Sequence, residues 1–129
     1  MPPSESTYPK DWLRIAEKDV VRVNRALDDG DAELAGFCLQ QATEKALKAL
    51  LLARGWQLRR IHDLEALLSD AAGHDPDFER FRSACQTITG YYMLDRYPFI
   101  GNVSLTVEDV RGTYQAVQPL FEKVRNATG

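Results

Sequence analysis

The chain has 129 residues, 44% of them apolar and 27% charged. That composition suits one soluble globular domain with a substantial buried core. Sixteen basic against nineteen acidic residues leave a net charge of −3, so no overall cationic field drives non-specific nucleic-acid binding, and any anion site must be local. No apolar run approaches the ~20 residues of a membrane span. The opening Met1-Pro2-Pro3-Ser4-Glu5-Ser6-Thr7 lacks the apolar stretch of a signal peptide, and a cytoplasmic location is expected. Cys38 and Cys85 are too few and too far apart for a metal motif and read as buried thiols.

The signals along the chain are helical throughout. Residues 1–8 read as a flexible N-terminus and 9–127 as a single helical domain. Pro9 suits a first turn, and Trp12, Ile15, Ala16, Val20, Val23 and Leu27 follow at spacings of three and four. Asp28-Asp29-Gly30 stops that helix, and Asp31 caps the next.

The second helix, running to about Arg54 and ended by Gly55, is the most informative. Ala, Leu, Glu, Gln and Lys dominate it, and nothing breaks the run. At 100° per residue, Gln41, Glu44, Lys45 and Lys48 fall on one arc. Ala35, Ala42, Ala46, Leu47, Ala49, Leu50, Leu51 and Ala53 spread over the other half-turn or more, which suits a helix packed by several neighbours. The polar arc is either a solvated edge, with Glu44 paired to Lys48, or a binding surface. In the second case Lys45 and Lys48 meet phosphate while Gln41 and Glu44 contact base or sugar.

A short third helix starts near His62 with Leu64, Leu67 and Leu68 inward, and ends by Gly73. Asp63 in its first turn complements the helix dipole. His62 is a candidate general base, although side chains at i and i+1 diverge on a helix, so Asp63 is a poor orienter for it. Arg54, Arg59, Arg60 and His62 form a small basic cluster. Asp75-Pro76 is a cap and first-turn pair for a fourth helix carrying Phe78, Phe81, Cys85, Ile88 and Tyr92.

Arg96-Tyr97-Pro98-Phe99-Ile100-Gly101-Asn102 cannot continue as regular helix, since the residue before proline avoids the α region. Arg96 either completes a helix C-terminus or, with Tyr97, offers a guanidinium fork and an aromatic face to phosphate and base. Thr106 caps the last helix, with Glu108 and Asp109 in its first turn. Val107, Val110, Tyr114, Val117, Phe121 and Val124 mark either ordinary core or a dimer seam. Pro119 should bend that helix. No zinc spacing, phosphate loop or paired-carboxylate signature occurs, so neither a metal nor a cofactor is expected. The architecture predicted is all-α: an antiparallel up-and-down helical bundle of four long helices plus one short helix.

Taken together, Ala16-Glu17-Lys18-Asp19-Val20 in the first helix, Phe37 to Leu51 with its Gln40-Gln41-Ala42 and Glu44-Lys45-Ala46-Leu47-Lys48, then Gly55, His62-Asp63-Leu64 and Arg96-Tyr97-Pro98, resemble the HEPN domain family (higher eukaryotes and prokaryotes nucleotide-binding) over roughly residues 10–125. The resemblance implies an all-α bundle that forms a two-fold homodimer. It implies binding of a nucleotide or RNA, and a minimal nucleotidyltransferase as partner in a toxin–antitoxin type system. Many members are metal-independent endoribonucleases using Arg, four to six residues, then His. This chain departs from that motif: Arg54 lies eight positions before His62, and no His follows Arg96. The expectation is therefore a non-catalytic nucleotide- or RNA-binding protein with no catalytic residues. Its candidate site is Gln41, Glu44, Lys45, Lys48, His62, Asp63, Arg96 and Tyr97. An endoribonuclease with a non-standard Arg/His site and a ligand-free interaction module are the alternatives.

Overall fold

A computed structural model describes residues 6–57, 59, 61–96 and 105–128, with side chains described except at 92–96. Tyr97 lies outside the described residues. Arg96 is seen only as the last residue of a helix. Among the described residues there are five α-helices and no strand: α1 Pro9–Asp28, α2 Ala32–Ala53, α3 Leu64–His74, α4 Arg82–Arg96 and α5 Val107–Thr128. The all-α bundle expected from periodicity is what forms.

Helix α2 is the centre. It packs against α1, α3, α4 and α5, and its contact with α1 is the most extensive in the molecule. Its apolar arc explains this: Ala35, Leu39, Ala42, Ala46, Leu47, Ala49 and Leu51 are all essentially inaccessible. Small alanines let neighbouring backbones approach, while the leucines fill the space between them. Gly36 marks one such approach, since a Cβ there would come within 3.2 Å of the Tyr91 ring.

Local chemistry sets the helix ends. After α1, Gly30 takes a positive φ of 75°, which a Cβ would oppose. Its N–H reaches the Leu27 carbonyl at 3.1 Å, and the Asp31 N–H reaches that of Ala26 at 2.9 Å. Gly55 repeats the arrangement after α2, with φ 88°. Both are Schellman ends that satisfy orphan carbonyls. Asp31 then caps α2 by accepting from the Leu34 N–H at 3.1 Å. Asp63 caps α3 through the Glu65 and Ala66 N–H groups. Thr106 and Asp109 cap α5 reciprocally, at 3.1 and 3.3 Å.

The Asp75-Pro76 pair opens a 3-10 segment, Pro76–Phe81, and α4 begins only after it. With three residues per turn, Phe78 and Phe81 align on one side. Both are buried, their ring centroids 6.2 Å apart. In α4, Tyr91 is buried and its hydroxyl lies 2.6 Å from the Thr113 hydroxyl of α5. Val110, Val117, Phe121 and Val124 of α5 are buried within the chain, so most of the heptad pattern is core. Pro119 sits inside α5 without ending it.

Candidate functional site

The polar arc of α2 is split between two environments. Along the row spaced by four, Gly36, Gln40, Glu44 and Lys48 are all buried. The adjacent row, Phe37, Gln41 and Lys45, is exposed or half-buried. Lys48 lies in the middle of the arc that a helical wheel turns outward, yet its side chain is only 3% exposed. One neighbour from another helix and one from a turn earlier on α2 cover it. The Trp12 ring of α1 sits under the ammonium, 5.3 Å from Nζ to centroid. Glu44, itself 5% exposed, accepts from Nζ at 3.1 Å. So Glu44 and Lys48 do pair, but as a desolvated pair, not on a wet surface. Their attraction is correspondingly stronger than in water, and so is the cost of losing one partner.

His62 joins this pair. Its Nδ1 is 3.1 Å from the same Glu44 Oε2, while the imidazole is 75% exposed. The carboxylate behind the imidazole is therefore Glu44, 18 residues away in sequence. Asp63 is not its carboxylate partner; the Asp63 carboxylate caps α3. A carboxylate on Nδ1 leaves Nε2 directed away from the pair and accessible, which is the arrangement a general acid or base needs.

The second cluster centres on Asp19 of α1, 3% exposed. Its carboxylate accepts from Lys45 Nζ at 3.0 Å and from the Arg22 guanidinium at 2.6 Å. Two cations thus share one buried carboxylate, leaving the cluster locally positive at the surface, where Arg22 is 58% exposed. Asp19 is not among the site residues expected from the sequence, because an Asp inside an amphipathic helix carries no site signal of its own. The residue that pairs with it is 26 positions on. Beside it, burial pushes the Cys38 thiol above its ordinary value, and the Asp19 carboxylate adds to the effect.

The N-terminal segment holds the lid over Lys48. Trp12 Nε1 donates to the Ser6 carbonyl at 2.7 Å, and the Ser6 hydroxyl donates to Asp11 at 2.6 Å. Gln40 was not singled out from the sequence. Its Oε1 is buried and has no hydrogen-bond partner among the described residues, next to Glu44 on the same row. Among the described residues no cluster of three or more His, Cys, Asp or Glu could hold a metal ion. No described helix is long and apolar enough to cross a membrane.

The site thus gathers Glu44, Lys48 and His62 directly, with Gln41 and Lys45 on the adjoining row. The fold sits in a known class. The model of the HEPN domain matches residues 9–127, and the chain belongs to the HEPN domain family. It is similar to the crystal structure of TT1696 from Thermus thermophilus, at 30% identity and a TM-score of 0.79, over 92% of this chain and 97% of that one. It is also similar to ST0689, an archaeal HEPN homologue, at 25% identity and a TM-score of 0.75, over 95% of this chain and 98% of that one. No curated protein matches.

Proposed function

We propose that this HEPN domain binds a nucleotide or an RNA at the outer edge of α2, and acts as the non-catalytic partner of a minimal nucleotidyltransferase in a two-component system of toxin–antitoxin type. In this reading it works as a two-fold homodimer in the cytoplasm. The observation that carries the site is the Glu44–Lys48 pair, buried to 5% and 3% exposure with the accessible His62 bound to it. A buried ion pair is seldom the most stable filling for its space. The accessible imidazole held against this pair gives a ligand a polar group to meet. Lys45 and Arg22 supply further cations along the same edge, and phosphate is drawn to such a local patch in an otherwise acidic protein. Arg96 is a further donor to phosphate in the proposed set, and Gln41, Asp63 and Tyr97 complete it as polar and aromatic groups for ribose and base.

Calorimetric titration of nucleotides and short RNAs tests this. His62→Ala and Arg96→Ala should each weaken binding by about 1–3 kcal/mol and leave the thermal midpoint nearly unchanged. Lys48→Ala is a poorer probe, because Lys48 is built into the fold. A wild type that titrates with no nucleotide or RNA removes the proposal. Co-purification with a nucleotidyltransferase encoded alongside tests the partner.

A second reading, a metal-independent endoribonuclease, is favoured by one observation: the Glu44–His62 contact of 3.1 Å has the form of a carboxylate-oriented base. RNA cutting lost on His62→Ala would establish it.

A further inference from the structure

Leu34 and Phe37 of α2 are 49% and 47% exposed, although α2 is the most enclosed helix of the bundle. Phe37 belongs to a row spaced by four: Glu33, Phe37, Gln41 and Lys45. Glu33 is exposed, and Gln41 and Lys45 are half-buried. Charge reverses along this row, with acid at one end, an aromatic and an amide in the middle, and base at the other end. The pairs Glu33 with Lys45 and Phe37 with Gln41 are symmetric about the level of Leu39.

We infer that this ridge is the face on which a second copy of the chain docks, α2 against α2 and antiparallel, across a two-fold axis level with Leu39. The inference rests on the homodimer proposed above and supplies its interface. A two-fold contact must be self-complementary, and a row with unlike ends and an apolar centre becomes so when reversed. Glu33 then meets the partner's Lys45 at both ends, and the two Phe37 side chains meet across the axis at the centre. At 1.5 Å per residue the two charges lie about 18 Å apart along the helix, about 9 Å either side of the axis, within reach of such long side chains for rows that interdigitate. Lys45 keeps its bond to Asp19, 3.0 Å away, because an ammonium has three donors.

Light scattering on the full chain at tens of micromolar, with circular dichroism as a check of folding, tests the interface. Phe37→Glu should weaken the dimer by about tenfold or more, while Val21→Glu, at another exposed apolar residue off the ridge (49% exposed), should not. Glu33→Lys and Lys45→Glu should each weaken it alone, and mixing the two variants should restore a dimer, because both end contacts become Lys with Glu again. If Lys45→Glu fails to fold, Phe37→Glu and Glu33→Lys decide. A dimeric wild type unaffected by those two substitutions overturns this interface and leaves the dimer standing. Failure of the folded variants to pair on mixing overturns the antiparallel register. A monomeric wild type overturns both the interface and the dimer.

Discussion

Glu44 is the residue on which the candidate site turns, because one carboxylate oxygen serves both Lys48 and His62. Its pair with Lys48 is almost fully desolvated, so removing one partner strands the other charge. Glu44→Gln and Lys48→Met should each lower stability by about 3–5 kcal/mol, and the double variant by much less, since no uncompensated charge remains. Chemical denaturation of the three variants checks this; additive losses would show the pair to be uncoupled. Cys85 tests burial in another way. Desolvation pushes its thiol up from 9.0 to about 12. The folded state therefore keeps a proton that the unfolded chain releases near pH 9. The stability contributed is complete below pH 9 and is lost as pH rises towards 12. Alkaline unfolding should be shallower in a Cys85→Ala variant over that window, and a thiol reagent at pH 8 should label wild-type Cys85 only as fast as the protein unfolds.

Among the elements, caps and turns carry orientation. Asp63 accepts from two N–H groups at the start of α3, and that start sets where His62, one residue earlier, can reach. Asp63→Ala should cost about 0.5–2 kcal/mol in thermal or denaturant unfolding. It should also weaken ligand binding by loosening His62, although Asp63 need not touch the ligand. Unchanged stability would show that the N–H groups find water as readily. The 3-10 segment between α3 and α4 is tied to the far end of α5, where Lys123 donates to Asp75 at 2.9 Å and lies 3.1 Å from Asp77. The hydrogen bond from Lys123, the largest cause, holds the Asp75 carboxyl below its ordinary range. This exposed tie is present above the ordinary carboxylate range and is lost as pH falls through the lowered value.

The whole molecule is acidic, at −3, while its cations at the α2 edge are few and mostly paired. An RNA bound there meets a local site, not a basic surface. The affinity should therefore fall gently with salt, with a log–log slope of about −1 to −3, one unit for each phosphate neutralised. Titrations between low and physiological salt measure it. A slope near −6 or steeper would mean a broad electrostatic footprint and would displace the site from this edge.

The helices, their ends and the core were legible in the sequence because each depends on neighbours within a turn or two. Alternation at three and four placed Leu47, Leu67 and Ile88 inside; Gly30, Gly55, Asp31 and Thr106 announced the boundaries through their own backbone and side-chain chemistry, while Asp63, expected inside the first turn of a helix starting near His62, turned out to be the cap of one starting at Leu64. The 3-10 turn at Phe78 was not legible, since Asp-Pro opens either kind of helix. Nor was the fate of the polar arc. A helical wheel places Lys48 at an angle but cannot say what lies at that angle. Trp12 and His62, brought from two other segments, bury the Glu44–Lys48 pair, and Asp19 meets Lys45 from 26 positions away. Burial of a charge is a property of whatever arrives to cover it, and only the tertiary structure decides that.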